Sequence, residues 1–328
     1  MRTQLLLLLA ITSLAFVSAD YDPTEALECA YASSLAYCTP DIIQSWTCGA
    51  PCENLSGYQH FYSNVFQVSK DETLSFSMVY NTNLKKFIST FRGTAGSYQL
   101  FMEILQGGAS GYKLSSIPNA MADDYFYNHY VNNIRETFIP KLQEATGYFP
   151  DFLYIFTGHS LGGALTTLAA FDAITSGIVP STQALMYTFG SPRVGNGVLA
   201  KAIESAVPEI YRLVHWNDIV PHVPPCIRNL AMHCVEGGLM DEVETVDSHT
   251  PPLLWHAWHV AQQVFYNQDS TSYTICSGED PKCADRFTLL NVSVDNHLNY
   301  LNMRLQCGGT SAFHFGPGEE EKVTKVSA

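Results

Sequence analysis

The spacing of apolar residues changes repeatedly along the chain, and each change marks an element. Leu5 to Val17 is an unbroken, mostly apolar run of 13 residues, too short to cross a bilayer. Asp22-Pro23-Thr24-Glu25 reads as a helix start, with Asp22 as cap, Pro23 at the first helical position and Glu25 completing a capping-box arrangement. Ala26 to Tyr37 then carries the apolar face of that helix. Between Phe61 and Phe91 lie three β-rich runs, separated by Lys70-Asp71-Glu72 and by Asn81-Thr82-Asn83, both of which read as hairpin turns. In the next segment Tyr98, Phe101, Met102 and Leu105 fall on one helical face, bracketed by Gly96 and by Gly107-Gly108. Tyr127 to Ala145 is a longer helical pattern that Pro140 is expected to kink or divide.

From Phe152 onward the alternation becomes regular. Phe152 to Phe156 has the composition of a buried strand, and Ala164 to Phe171 has helical spacing. Ala184 to Phe189 is a strand, Asn196 to Val207 a helix, and Ile210 to His215 a strand again. Trp255 to Tyr266 reads as a further strand or hairpin. Strands alternating with helices predict an α/β fold whose mostly parallel central sheet is covered by helices on both faces. The 328 residues are 46% hydrophobic, ample for one large core, and no internal repeat or linker divides them. The expected organisation is a single domain over residues 20–315, followed by a Pro- and Glu-containing tail at 316–328 that predicts disorder.

Residues 1–19 read as a secretory signal peptide: Arg2 is the charged start, the apolar run is the core, and Val17-Ser18-Ala19 is a small-residue cleavage site. No later stretch qualifies as an integral membrane segment. The chain carries 17 Lys+Arg against 31 Asp+Glu, a net charge of −14, and loss of Arg2 makes it more negative. Such a surface repels nucleic acid and anionic membranes, which removes those partners from consideration. All nine cysteines lie beyond residue 19, so an oxidising compartment would pair most of them and leave one over. Cys48-Gly49-Ala50-Pro51-Cys52 is a loop that a small disulfide could close; a zinc pair is the alternative, but no second Cys/His pair with ligand spacing accompanies it. Asn54-Leu55-Ser56 and Asn291-Val292-Ser293 are glycosylation sequons, consistent with secretion.

The chemistry centres on Gly158-His159-Ser160-Leu161-Gly162, which joins the Phe152 strand directly to the Ala164 helix. Strand, sharp turn, serine, helix is the context of a nucleophile elbow. The turn holds the Ser160 hydroxyl away from the sheet edge, and the helix aims free N–H groups at the place where an oxyanion would form. A second oxyanion donor usually comes from a loop after a buried strand, where Arg92-Gly93-Thr94 stands. A nucleophilic serine needs a base and a group to orient it, in the chain order Ser, acid, His. Asp218 follows a strand and precedes Ile219-Val220-Pro221, which would bury its carboxylate; Asp172 lies inside the elbow helix, and Asp241 and Asp247 in a polar loop. His297, late in the chain and just before a C-terminal helical pattern, is the expected base. His215 sits inside a strand, His222 is too near Asp218 in sequence, His256 and His259 fall on opposite faces of a strand, and His314 is near the tail. His159 is expected to line the pocket floor or pack on the sheet. Beside an elbow serine, the amphipathic Tyr98–Leu105 segment reads as a lid rather than a core helix.

Four segments, in this order, resemble the class 3 lipases, the fungal triacylglycerol lipase-like α/β hydrolases. They are Phe91-Arg92-Gly93-Thr94, Gly158-His159-Ser160-Leu161-Gly162-Gly163-Ala164, Tyr187-Thr188-Phe189-Gly190-Ser191-Pro192-Arg193-Val194-Gly195-Asn196 and Asn217-Asp218-Ile219-Val220-Pro221. The resemblance covers about residues 24–308. It implies Ser160 as nucleophile, Asp218 as acid and His297 as base, with an oxyanion hole from the backbone N–H groups of Thr94 and Leu161 and the Thr94 hydroxyl adding a bond. It also implies disulfides Cys38–Cys307, Cys48–Cys52 and Cys276–Cys283; Cys226 and Cys234 would then pair locally and leave Cys29 free on the first helix. Two departures stand out. Asn296 precedes His297 where the fungal enzymes usually carry Asp, and the segment from Cys226 to Leu253 is longer, which bears on substrate choice.

The expected activity is secreted hydrolysis of lipid carboxylic esters, triacylglycerol foremost, at an oil–water interface, through an acyl-enzyme and with no cofactor or metal. The rivals are a phospholipase or a feruloyl-type esterase on the same fold, and a lipid-binding protein that has lost catalysis. The set Ser160, Asp218 and His297 argues against the last of these.

Overall fold

The structure is a computed structural model and describes residues 20–70, 72–94, 111–114, 116–230, 234, 256–288, 290–308 and 324–325. The proposed leader, the Tyr98–Leu105 lid segment, most of the Cys226–Leu253 insertion, His314 and the tail other than 324–325 lie outside the described residues.

The first helix, Pro23–Leu35, is capped by Asp22, whose Oδ1 accepts the Thr24 N–H at 2.8 Å. Glu25 turns to Lys86 Nζ at 2.9 Å. Strands β1 (Gln59–Gln67), β2 (Thr73–Asn81) and β3 (Lys86–Phe91) form an antiparallel meander. The second turn closes because Asn81 Oδ1 accepts the N–H groups of Asn83 and Leu84. Then follow β4 (Gly111–Lys113), β5 (Met121–Asp123), β6 (Leu153–His159), β7 (Ala184–Phe189), β8 (Gly195–Asn196) and β9 (Ile210–His215). Last come β10 (Ala257–Trp258), β11 (Gln263–Tyr266), β12 (Ser272–Cys276), β13 (Asn299–Tyr300), β14 (Met303–Arg304) and β15 (Thr324–Lys325).

The main sheet has the order β1-β2-β3-β6-β7-β9-β11-β12-β15, and its centre, β3-β6-β7-β9-β11, is parallel. Strands buried on both faces must be apolar at successive positions, and these divide their residues between two cores. Phe87, Tyr154, Phe156 and Met186 point into one core, against the helices Arg135–Tyr148, Leu161–Thr175 and Gly197–Ala206. Ile88, Ile155, Leu185, Tyr187 and Phe189 point into the other, against the first helix and the β13–β14 hairpin. The mostly parallel sheet covered on both faces is what the alternation predicts, and the architecture is the α/β-hydrolase fold that the family resemblance implies. A smaller antiparallel sheet, β10-β8-β5-β4, lies apart from it.

Three elements differ from the pattern expected. The helix near Pro140 divides earlier, at a π turn over Tyr130–Ile134 between the α-helices Asp124–His129 and Arg135–Tyr148. A tertiary contact explains the position: Tyr130 Oη and Arg135 Nε both reach Asp172 Oδ2, at 2.7 and 2.8 Å, and only the wider π turn brings residues five apart onto one side. The 255–266 stretch is neither one strand nor one hairpin, because β10 joins the small sheet while β11 joins the large one, with Ala261 at φ 49° between them. His297 is followed by the β13–β14 hairpin and not by a helix, since Leu301 and Asn302, at φ 51° and 58°, make a two-residue turn of the tight hairpin kind. The disulfides are Cys38–Cys307, Cys48–Cys52, Cys226–Cys234 and Cys276–Cys283, and Cys29 is a buried free thiol.

Candidate active site

The site begins where β6 ends. Ser160 has φ 63° and ψ −131°, a conformation that a residue with a Cβ adopts only under constraint from its surroundings. Two glycines supply the room. A Cβ on Gly158 would lie 2.3 Å from the Gly162 carbonyl oxygen, and one on Gly162 would lie 2.0 Å from that of Phe91, at the end of β3. The helix Leu161–Thr175 starts at once, so the Leu161 N–H is among those with no partner inside the helix. The loop after β3 passes beside the turn, since a Cβ on Gly93 would meet Ser160 Cβ at 2.9 Å. Thr94 follows, its Oγ1 buried and without a hydrogen-bond partner among the described residues.

The second half assembles from two distant loops. Asp218 follows β9 and pairs as a parallel bridge with Ser293, through Ser293 N–H to Asn217 O and Ile219 N–H to Ser293 O. Ser293 then caps the short helix Val294–Leu298 by accepting the Asn296 N–H, and that helix carries His297. His297 Nδ1 lies 2.9 and 3.0 Å from the two Asp218 carboxylate oxygens. The Asp218 carboxylate also accepts the Val220 N–H at 2.8 Å and the Tyr300 hydroxyl. Burial alone would push the Asp218 carboxyl up; His297, Tyr300 and Val220 outweigh it and hold the group below its ordinary range. Carboxylate oxygens only accept, so Nδ1 carries the proton of the neutral imidazole and Nε2 has the free lone pair. Gly190, at φ +55°, leaves room for the pair: a Cβ there would lie 2.5 Å from Asp218 Oδ2 and 2.9 Å from His297 Nδ1.

The two halves meet through the neighbour of Ser160. The His159 ring stacks on the His297 ring with centroids 4.5 Å apart. Its Nε2 is 2.7 Å from the His297 carbonyl oxygen and its Nδ1 is 2.7 Å from Tyr37 Oη. A carbonyl only accepts, so His159 Nε2 donates to it and Nδ1 accepts from Tyr37. Burial and the neighbouring His297 lower its pKa to about 3, so His159 is neutral beside the base. Ser160 Oγ and His297 Nε2 are both buried, and among the described residues neither has a hydrogen-bond partner, so the bond between them is not formed in this structure.

Thus Ser160, Leu161, Thr94, Asp218 and His297 gather around the end of β6. Two of the other candidate histidines hold main chain: His215 lies between the carbonyls of Asn296 and Gln268, and His259 faces that of Pro221, whereas both ring nitrogens of the buried His222 have no hydrogen-bond partner among the described residues. Two contributors escape sequence reasoning. Tyr300 follows His297 by three residues but looks like any apolar position of a helical pattern, and Tyr37 lies two residues beyond the first helix, just before Cys38. The His159 ring, expected to line the pocket floor or pack on the sheet, stacks on His297 and lies between Tyr37 Oη and the His297 carbonyl.

Serine at a strained strand-to-helix turn of an α/β-hydrolase sheet, beside a histidine held by a buried carboxylate, defines the serine hydrolase class. The profile of the family described as lipase (class 3) matches residues 88–228. The Caenorhabditis elegans protein named Lipase ZK262.3 is 30% identical over 306 residues, 88% of this chain and 81% of that protein. Secreted mono- and diacylglycerol lipase A of Penicillium cyclopium is 43% identical over 91 residues, 28% of each chain. Among solved structures, the lipase from Rhizopus microsporus var. chinensis superposes with a TM-score of 0.68 at 22% identity, covering 86% of this chain and 88% of that one. The chain belongs to the class 3 lipases, which are serine carboxylic-ester hydrolases.

Proposed function

We propose that the protein is a secreted hydrolase of lipid carboxylic esters, triacylglycerol foremost, with Ser160 as nucleophile, His297 as base and Asp218 as the acid that orients it. The observation that carries this reading is the chain of contacts from the Asp218 carboxylate to His297 Nδ1, with the Nε2 lone pair left bare beside an elbow serine. His297 Nε2 takes the Ser160 proton as Oγ attacks the ester carbonyl; the proton then goes to the leaving alkoxide, and water repeats the sequence to release the fatty acid. The N–H groups of Leu161 and Thr94 stabilise the tetrahedral oxyanion, each contributing about 3–4 kcal/mol, and the bare Thr94 hydroxyl adds a donor. Among the described residues no helix is long and apolar enough to cross a membrane.

A fluorophosphonate probe should label the wild type at Ser160, and rates on emulsified triolein, monoolein, phosphatidylcholine vesicles and a soluble feruloyl ester should rank triolein first. A faster rate on phosphatidylcholine or the feruloyl ester would replace the substrate assignment, and an unlabelled, inactive wild type would end the hydrolase reading. The Penicillium relative is named a mono- and diacylglycerol lipase, which makes monoolein the informative second arm.

A further inference from the structure

The segment that follows Asp218 has an unusual need. Val220-Pro221-His222-Val223-Pro224-Pro225 contains three prolines, which carry carbonyl oxygens but no N–H to enter a ladder. A buried carbonyl still requires a donor, so donors must come from elsewhere. They come from two side chains and one main-chain group. His259 Nε2 donates to Pro221 O at 2.7 Å, Arg193 N–H to Val223 O at 2.9 Å, and Arg193 Nη1 to Pro224 O at 2.9 Å. Arg193 is in turn fixed by Glu279 through two parallel bonds of 2.8 Å, with side chains only 2% and 3% exposed. Glu279 Oε1 also accepts the His259 N–H at 3.1 Å, so one carboxylate ties both donors together. Arg212 completes the set by donating to the carbonyl of Gly278, the residue before Glu279, at 2.9 Å.

A buried ion pair is weak evidence of stability, because desolvation offsets most of the attraction; what its forked geometry supplies is direction. We propose that Arg193, Glu279 and His259 act as a clamp that positions Asp218 for its work on His297, by fixing the carbonyls of Pro221, Val223 and Pro224. The inference rests on the assignment of Ser160, His297 and Asp218 given above. The clamp touches no reacting atom and works through the Asp218 loop alone. Its charged surroundings are Arg212, Arg228, Asp285 and the buried His222, whereas His297 itself is faced by Asp218, Tyr300 and His159.

The test uses the whole protein and a soluble ester, p-nitrophenyl butyrate, with active sites counted by fluorophosphonate. Glu279→Gln keeps the shape and removes the charge. The turnover per counted site should fall about tenfold with KM little changed, because a carboxylate displaced by a fraction of an ångström no longer aligns the imidazole. The acid limb of kcat/KM should move about half a unit lower, since a misaligned Asp218 stabilises the protonated imidazole less. Glu279→Asp, which restores the charge on a shorter arm, should recover part of both. Arg193→Lys, which lacks the fork, should match Glu279→Gln. The exposed Lys85–Asp151 pair is the control, and Asp151→Asn should move nothing. If Glu279→Gln does not accumulate in folded form, His259→Leu tests the same loop through its separate bond to Pro221. Fewer counted sites with an unchanged turnover per site and an unmoved acid limb would overturn the clamp and leave the hydrolase reading standing. A wild type that takes no label would overturn the hydrolase reading, and the clamp with it.

Discussion

The two sides of the site are built in opposite ways. Around Ser160 the geometry is local: one continuous stretch supplies β6, the strained turn and the helix Leu161–Thr175, and the glycines that relieve its crowding are two residues away on either side. Around His297 almost nothing is local. Its partner Asp218 is 79 residues away, and the two are brought together by the Asp218–Ser293 bridge, Tyr300, and the space left by Gly190. A turn like that at Ser160 is determined by the sterics of backbone close at hand, its own and that of the paired strand β3. A pair of distant loops is only as well placed as the groups that bind them, so the acid–base side should be the more easily disturbed without loss of the fold.

Five substitutions break or sharpen that contrast, from the largest effect to the smallest. Ser160→Ala should lower kcat by about a million-fold and leave the melting curve in place, because only the hydroxyl is lost; turnover on tributyrin per mole of folded protein measures it. Gly162→Ala and Gly190→Ala form the next pair. The first drives a Cβ into the Phe91 carbonyl and should cost more than about 4 kcal/mol, so that little folded protein is recovered. The second strains φ and presses on Asp218 and His297; it should accumulate as folded protein, with its kcat down about a thousandfold. Equal folding defects in both would refute the contrast.

Tyr300→Phe is milder. It removes one donor from the Asp218 carboxylate, which should cost about 1–3 kcal/mol and reduce kcat about tenfold. The pH dependence follows from sign. The Asp218 carboxyl is held low in the folded protein, so its contribution to stability is present above the ordinary Asp pKa of about 3.9 and is lost as pH falls through the lower folded value. Removing Tyr300 raises that folded value, so the drop in melting temperature between neutral pH and pH 3 should be smaller in the variant. A larger drop would show that Tyr300 does not stabilise the carboxylate. The smallest effect is expected from Tyr37→Phe, which leaves His159 Nδ1 without its donor: about 1 kcal/mol and a few degrees in melting temperature, with kcat within about threefold. A loss of kcat as large as that of Tyr300→Phe would place Tyr37 with the acid–base side.

The sequence by itself determined the alternation of elements, the elbow and the order of the reactive residues. The apolar runs at Phe152, Ala184 and Ile210 are doubly buried strands, and Gly-x-Ser-x-Gly between strand and helix admits few backbone solutions. These signals survive in one dimension because they arise from residues a few positions apart. Tertiary structure alone decided the rest. It placed the π turn at 130–134, where Asp172 draws in two side chains, ahead of the proline that the pattern marks. It sent the halves of 255–266 to different sheets, and set Tyr37, Tyr300 and the stacked His159 around the acid and base. Each of these depends on which buried polar atom lacks a partner once distant segments have packed, and no spacing along the chain encodes that encounter.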